Sequence, residues 1–135
     1  KKSVRNSDCA AKALIDRQSG ELIGICTFTA YSLEKQRVSG VLQGSQPSEI
    51  GVVRLVMLGV ARKYQKRGFG QDLLCDFFEH VKIIHQALPI KGVYLDADPA
   101  AINFYARLGF VQLSATPNAF GAVPMFLAIQ HILAA

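Results

Sequence analysis

The hydrophobic positions in the first half of the chain predict a β-hairpin followed by a central strand. An apolar run, Ala11–Asp16, precedes turn residues at Arg17–Gly20 and a stretch rich in β-branched and aromatic residues at Leu22–Leu33, which is the order of a hairpin. The polar segment Glu34–Gly51, interrupted by glycine and proline, predicts a long loop with room for a short helical piece. The nearly continuous apolar run Val52–Val60 is typical of a strand covered on both faces.

The second half of the chain predicts helices that alternate with strands. Between Gly70 and Leu88 the apolar residues recur at spacings of one, three and four, which forms one stripe and predicts an amphipathic helix. A short strand is predicted at Val93–Leu95, a helix at Ala100–Leu108, and two final strands at Phe110–Leu113 and Met125–Ile129. This order of elements predicts an α/β fold with a mixed sheet, in a single domain that covers residues 1–135.

The composition is that of an ordinary globular protein. The 135 residues are 50% hydrophobic and 19% charged, and no apolar run approaches the roughly 20 residues that span a bilayer. With no signal peptide in view, we expect a cytoplasmic protein without membrane association. Cys26 and Cys75 are expected to be small buried hydrophobes in a reducing compartment. The three histidines have no metal-ligand spacing, so no metal is expected.

The net charge of +5 allows two interpretations. The basic surface could bind only the phosphates of a cofactor, or it could also bind a polyanionic substrate such as RNA. Charge alone favours the first interpretation. In addition, aromatic residues do not interleave with the basic ones as they do in surfaces that bind single-stranded nucleic acid. The basic residues concerned are Lys35, Arg37, Arg54, Arg62, Lys63, Lys66 and Arg67.

A basic, glycine-bearing turn joins the central strand to the long helix. It reads Gln65-x-x-Gly68-x-Gly70. Backbone N–H groups at a helix N-terminus, with glycines that allow close approach, form a site for phosphate. The turn lacks the Lys-Ser/Thr ending of a nucleotide P-loop, and Leu73 stands in place of the third glycine of a dinucleotide fingerprint. We therefore expect a phosphate cradle of another kind at the carboxyl end of the central strand.

The chain contains two motifs in this order, Leu58-Gly59-Val60…Gln65-x-x-Gly68-x-Gly70 and Ala101-x-x-Phe104-Tyr105-x-x-x-Gly109-Phe110. Together they resemble the GNAT N-acetyltransferase superfamily. The resemblance covers roughly Ala11–Ile129 and implies a GNAT-like acyl-CoA N-acyltransferase fold. The family's opening strand and most of its first two helices have no counterpart here, so an N-terminally incomplete GNAT domain is expected.

The resemblance implies acetyl-CoA as the acyl donor. The backbone of the central strand would pair with the pantetheine, and the turn would cradle the pyrophosphate. Tyr105 resembles the tyrosine that gives a proton to the leaving thiolate in this superfamily, a step that suits a phenol with a pKa near 10. The cofactor-binding positions implied are Leu58, Gly59, Val60, Gln65, Lys66, Arg67, Gly68, Phe69, Gly70, Gln71 and Ala101.

Within the superfamily the chain is most similar to the aminoacyl-tRNA-acetylating toxins of type II toxin–antitoxin modules. The similar segments are Thr27–Leu33, Tyr64–Leu74 and Asn103–Tyr105. Met57 stands where that group usually has an arginine, and Ala61 where it usually has an acidic residue. The resemblance implies that the substrate is aminoacyl-tRNA and that a small ribbon-helix-helix antitoxin binds the protein. It also implies that the protein forms a homodimer. From the basic residues, Arg37, Arg54 and Lys63 are the candidate contacts to such a substrate.

The acceptor amine stays open at this point. Val52–Ala61 contains no acidic residue to act as a base, and Glu49 is the nearest carboxylate upstream. This favours an α-amino acceptor, whose pKa lies near 8, over a lysine-like amine near 10.4. The alternatives are a small amine such as a polyamine, aminoglycoside or amino-acid derivative, or a silent acyl-CoA-binding module. A small amine would require an acidic pocket, for which Glu49, Asp96 and Asp98 are candidates, although Asp98 is also a helix N-cap.

Overall fold

From residue 10 to residue 128 the strands and α-helices follow the order that the hydrophobic pattern predicts. The structure is a computed structural model that describes residues 2–5 (backbone only), 9–42 and 44–134. Its strands are β1 (Lys2–Arg5), β2 (Ala10–Ile15), β3 (Leu22–Glu34), β4 (Glu49–Val60), β5 (Gly92–Ala97), β6 (Val111–Gln112) and β7 (Val123–Ala128). Its helices are α1 (Phe69–Ala87), α2 (Ile102–Arg107) and α3 (Ile129–Ala134), with 3₁₀ turns at Lys35–Val38, Arg62–Tyr64 and Pro99–Ala101.

The strands hydrogen-bond in the order β1-β2-β3-β4-β5-β7-β6. The pairs β1–β2, β2–β3, β5–β7 and β6–β7 are antiparallel. By its internal contacts the chain divides into two compact units. The first unit comprises Lys1–Thr29 and Leu55–Ala87, and the second comprises Ala30–Arg54 and Leu88–Ala135. β3 and β4 contribute residues to both units.

The core of the first unit lies under α1. The apolar stripe of this helix buries Leu73, Leu74, Phe77 and Val81, and the Phe77 ring lies 5.1 Å from that of Phe28 on β3. This burial of four large side chains on one face explains why the segment is helical, since the stripe follows the helical repeat. The predicted helix over 70–88 is thereby confirmed to within one residue at each end.

The core of the second unit joins the strands β3, β4, β5 and β7. Its buried residues are Leu33, Val38, Ile50, Val52, Tyr94, Phe126 and Ala128. Val38 belongs to the 3₁₀ turn at Lys35–Val38, so part of the predicted long loop is anchored in this core. α3 adds Ile129 and Ile132, which are also buried.

Gly92, the first residue of β5, allows the closest packing in the second unit. A Cβ atom at this position would lie against the Leu127 carbonyl oxygen and 2.6 Å from Cζ of Phe126. We expect Gly92→Ala to lower the free energy of unfolding by about 1–3 kcal/mol, because well-packed surroundings resist an added methyl group. Urea unfolding would measure this loss.

Gly51 on β4 is the matched control for that substitution. It is a strand glycine whose added Cβ would meet nothing within 4 Å, so Gly51→Ala should leave the unfolding midpoint nearly unchanged. Equal midpoints for the two variants would contradict the packing described at Gly92.

The predicted central strand differs from the observed one in extent and in burial. β4 begins at Glu49 instead of Val52. The prediction that it is covered on both faces is wrong for its second half, where Val56 and Met57 are each 47% exposed. An apolar run shows that a strand can be buried, but the elements packed on it decide whether it is.

Other local expectations need correction. Ile129 starts α3 instead of ending a strand, and β1 was not predicted at all. Cys26 is buried as expected, but Cys75 is exposed on α1, so the prediction of a buried Cys75 is wrong. None of the described helices is both long and apolar enough to span a membrane.

Candidate functional site

The basic turn between β4 and α1 has the backbone of an anion cradle. After the 3₁₀ turn, Lys66 and Gly68 both adopt positive φ, +61° and +83°. The Asp72 N–H donates to the Gly68 carbonyl at 3.1 Å. The N–H groups of Phe69, Gly70 and Gln71 precede this bond at the helix start, where intrahelical acceptors are lacking. These three donors and the positive end of the helix dipole can therefore bind an anion.

Side chains of the first unit hold this turn in place. Tyr64 is buried and its hydroxyl lies 3.4 Å from both Asp16 and Glu21. Its ring contacts Phe69 edge-on at 5.9 Å, and the Arg67 guanidinium lies 5.6 Å from the Tyr64 ring and 5.4 Å from the Phe69 ring. The turn is therefore shaped by its own contacts, which lowers the cost of ordering it around a ligand.

Two polar contacts fix the ends of the turn. Gln65 Nε2 donates to the Val60 carbonyl at 3.0 Å. Lys63 Nζ pairs with Glu21 at 2.8 Å. The hydrogen bond and charge of Lys63 lower the pKa of the Glu21 carboxyl, and those of Glu21 raise the pKa of Lys63. Much of the Lys63 charge is thus balanced by Glu21. Lys66 is exposed and makes no ion pair with any described residue, so it can supply charge to a bound phosphate.

The carboxyl-terminal end of β4 is open beside this turn. Leu58, Gly59 and Val60 are partly exposed, and a Cβ atom added to Gly59 would meet nothing within 4 Å. The Ala61 N–H donates to the Ile23 carbonyl at 2.8 Å, which ties the end of the strand to β3. The exposed end of β4 thus lies directly before the anion cradle in the first unit.

α2 carries Tyr105 in the second unit. Asp98 accepts a hydrogen bond from the Ala100 N–H at 2.9 Å, which confirms its N-cap role. Ala101 forms the junction between the 3₁₀ turn and α2. The Tyr105 ring is partly exposed and lies between Phe104 and Phe110, at 5.2 and 5.6 Å. Phe104 is likewise partly exposed, and α2 has no buried residue.

A cluster of arginine and tyrosine side chains lies on the second unit, and we refer to Tyr31, Arg37, Arg54, Tyr94 and Asp96 as the Arg–Tyr cluster. The two tyrosine rings stack at 5.4 Å and 13°. Arg54 pairs with Asp96 at 3.1 Å and lies over the Tyr31 ring at 5.1 Å. Arg37 donates to the Tyr94 hydroxyl at 2.9 Å, and that hydroxyl donates to Asp96 at 2.8 Å.

The Arg–Tyr cluster changes the ionisation of its members. Burial is the largest single influence on Arg37 and acts to lower its pKa, but the hydrogen bond to Tyr94 and the electrostatic effects of Tyr94, Tyr31 and Asp96 together outweigh it, so the pKa is raised. Burial raises the pKa of Tyr94, which the Arg37 hydrogen bond only partly offsets. Tyr94 is therefore a neutral phenol at physiological pH, and Arg37 keeps its charge.

The three carboxylates that could form an acidic pocket are all engaged. Asp96 holds Arg54 and Tyr94, and Asp98 caps the start of the Pro99–Ala101 turn. Glu49 accepts a hydrogen bond from the Ser32 hydroxyl at 2.7 Å. Each of the three therefore has a hydrogen-bonding role within the protein, and Asp96 is also held in an ion pair.

The structure places the predicted site residues in separate groups. The positions of β4 and the turn, from Leu58 to Gln71, are contiguous in the first unit, together with Lys63. Arg37 and Arg54, named from charge alone, meet in the Arg–Tyr cluster of the second unit. Tyr31, Tyr94 and Asp96 were not predicted to act with them. The alternation Tyr94-x-Asp96 on a strand could have indicated that these two side chains share a face.

The fold and the cradle correspond to a known family of enzymes. Residues 11–112 match the family model of the acetyltransferase (GNAT) domain. The chain therefore belongs to the GNAT acetyltransferases. It is an N-acetyltransferase with acetyl-CoA as the donor.

Solved structures share this fold. A crystal structure described as a bacterial toxin is 99% identical, with a TM-score of 0.93, over 95% of this chain and 72% of that chain. The KacTA–DNA complex is 22% identical, with a TM-score of 0.78, over 96% of this chain and 74% of that chain. AtaT complexed with acetyl-methionyl-tRNAfMet is 21% identical, with a TM-score of 0.75, over 93% and 73%. No curated protein sequence matches significantly.

Proposed function

We propose that this N-acetyltransferase modifies the amino group of aminoacyl-tRNA and so acts as a translation-blocking toxin. The toxin role is supported by the 99% identical chain that is described as a bacterial toxin. The acceptor class is supported by AtaT, a protein of the same fold that was solved with acetyl-methionyl-tRNAfMet. In this proposal the chain works as a single GNAT domain in the cytoplasm.

The observation that carries the acceptor class is the engagement of Glu49, Asp96 and Asp98. Asp96 is paired with Arg54, Asp98 caps the Pro99–Ala101 turn and Glu49 accepts a hydrogen bond from Ser32, so each of these three carboxylates already has a partner within the protein. At physiological pH an α-amino group with a pKa near 8 has a sizeable neutral fraction, whereas a lysine-like amine with a pKa near 10.4 is almost fully protonated. An ester at the adjacent carbon lowers the α-amino pKa further.

The donor would be held by the first unit. The backbone of Leu58, Gly59 and Val60 would pair with the pantetheine amides, and Ala101 is proposed as a further donor contact. The turn would hold the pyrophosphate through its N–H groups and the charge of Lys66. The proposed pyrophosphate contacts are Gln65, Lys66, Arg67, Gly68, Phe69, Gly70 and Gln71. When bound, acetyl-CoA supplies the activated acetyl group as a thioester.

Tyr105 is proposed as the general acid. Transfer forms a C–N bond to the acceptor nitrogen and breaks the C–S bond, and the departing thiolate takes the proton of the Tyr105 hydroxyl. The acceptor nitrogen loses a proton to solvent, from which the phenolate is reprotonated. The pKa of a phenol, near 10, lies close enough to that of a thiol for this exchange to be easy.

Two partners belong to this proposal. A small ribbon-helix-helix antitoxin would neutralise the protein by covering its basic surface, and the protein would form a homodimer. Arg37, Arg54 and Lys63 are proposed as contacts to the tRNA. Because Lys63 is paired with Glu21 and Arg54 with Asp96, Arg37 has the charge most available to an RNA phosphate.

Acetyl transfer to a defined set of acceptors tests this proposal. The protein is incubated with radiolabelled acetyl-CoA and either charged tRNA, the same tRNA after deacylation, or a panel of polyamines, aminoglycosides and free amino acids. We expect label in precipitated RNA only when the tRNA is charged. Label confined to the small amines would contradict the proposal and establish the alternative, a GNAT that modifies a small molecule.

A further inference from the structure

A cleft of about 520 Å³ lies beside the Arg–Tyr cluster in the second unit. One wall is the segment around the Lys35–Val38 turn, and the other is β6 with the residue after it. The lining residues that matter here are Gln36, Arg37, Ser39, Val41, Val111 and Gln112. The cleft offers polar groups and apolar surface, and no carboxylate is among its lining residues.

Arg37 is the one charged side chain that lines this cleft. The Arg–Tyr cluster contains two guanidinium groups and one carboxylate. Asp96 forms its ion pair with Arg54, whereas the partner of Arg37 is the hydroxyl of Tyr94. Arg37 makes no ion pair within the described ranges. Its positive charge is therefore not held in an ion pair with a described residue at the place where it lines the cleft.

The guanidinium of Arg37 is also held in a fixed position. It lies 5.1 Å from the centre of the Tyr94 ring and donates to the hydroxyl of that ring. Tyr94 is itself fixed by Asp96 and by stacking on Tyr31. A guanidinium carries five N–H donors, and this hydrogen bond uses one. A preorganised arginine with spare donors suits a phosphate, which it can bind through two parallel hydrogen bonds.

We propose that this cleft is a phosphate subsite for a ribonucleotide of the acceptor, with Arg37 as the residue that binds the phosphate. Val41 and Val111 provide apolar surface for the ribose or base, and Gln36, Ser39 and Gln112 provide hydrogen-bonding groups. The inference rests on the proposed function, because it assigns this cleft to the RNA part of an aminoacyl-tRNA acceptor. It also explains why Tyr94 and Asp96 are arranged around an arginine at the surface.

Direct binding tests the subsite without acetyl transfer. Cytidine 5′-monophosphate is titrated into protein saturated with CoA, which occupies the donor site, and cytidine serves as the probe that lacks the phosphate. We expect the monophosphate to bind the wild-type protein and to bind Arg37→Ala about tenfold more weakly, as for the loss of a charged hydrogen-bonding group. Arg37→Lys should recover part of the affinity.

The matched control is Arg17→Ala, which removes an exposed arginine of the β2–β3 turn without touching the cleft. It should bind the monophosphate as the wild type does. Thermal unfolding of every variant would check that each one is folded. Failure of the wild type to bind the monophosphate, or equal weakening by both arginine variants, would overturn the proposal.

Steady-state kinetics separate this proposal from the proposed function. With charged tRNA, Arg37→Ala should raise KM about tenfold at unchanged kcat, and the slope of log KM against log salt should fall by about one. KM for a neutral amino-acid ester should not change. An unchanged KM for tRNA would overturn the subsite while the proposed function stands. The wild type could also bind the monophosphate through Arg37 and yet fail to acetylate charged tRNA. That result would instead overturn the proposed function.

Discussion

Replacing Tyr105 by phenylalanine is expected to lower kcat for acetyl transfer by about 10²- to 10⁴-fold, the usual contribution of a positioned general acid. The substitution removes one oxygen atom and keeps the ring between Phe104 and Phe110. Packing of α2 should therefore persist. Stopped-flow or radiometric assays at saturating acetyl-CoA would measure the loss.

Further measurements can show whether the fall in kcat of Tyr105→Phe comes from the proton-transfer step. The affinity for acetyl-CoA and the thermal unfolding midpoint of Tyr105→Phe should both match the wild type. In addition, we expect expression of the wild type to inhibit growth and expression of the variant to leave growth unaffected. A variant with nearly full kcat would show that another group protonates the thiolate, and a lower unfolding midpoint would show that the hydroxyl is structural.

Gly68→Ala is expected to raise KM for acetyl-CoA between about ten- and a hundredfold. Gly68 has φ of +83°, which a residue with a Cβ atom adopts at a cost of roughly 1–2 kcal/mol. A shift of this backbone would misplace the N–H groups of Phe69 and Gly70. Each hydrogen bond to a charged phosphate is worth about 1.5–3 kcal/mol.

The chain contains a matched control for the strain itself. Gly20, in the β2–β3 turn, has φ of +76°, and an added Cβ would meet nothing within 4 Å there or at Gly68. Both alanine variants should lose similar stability in urea unfolding, but Gly20→Ala should keep the wild-type KM for acetyl-CoA. If both variants raise KM equally, the effect comes from lost stability and not from the phosphate cradle.

The elements defined by local patterns could be predicted from the sequence. The stripe that includes Leu73, Phe77 and Val81 recurs at the helical period and gave α1 almost to the residue. The Arg17–Gly20 turn likewise marked the hairpin. These features could be read because each depends on residues close together in the sequence.

Features that depend on distant residues could not be predicted in the same way. Val56 and Met57 are as apolar as the buried half of β4, and nothing local shows that the end of this strand stays open. The bond between Arg37 and Tyr94 joins residues 57 positions apart. Arg37 and Arg54 could be chosen from their charge. The sequence could not show that Asp96 forms its ion pair with Arg54, whereas Arg37 bonds to the hydroxyl of Tyr94.

The chemical identity of the acetylated group tests the central claim most directly. Charged tRNA is treated with the protein and acetyl-CoA and digested with a nuclease, and the released 3′-terminal aminoacyl-adenosine is analysed by tandem mass spectrometry. The account predicts a single acetyl group on the α-amino nitrogen of the amino acid, absent when Tyr105→Phe replaces the wild type. Unmodified aminoacyl-adenosine, or an acetyl group on the base or ribose, would contradict it.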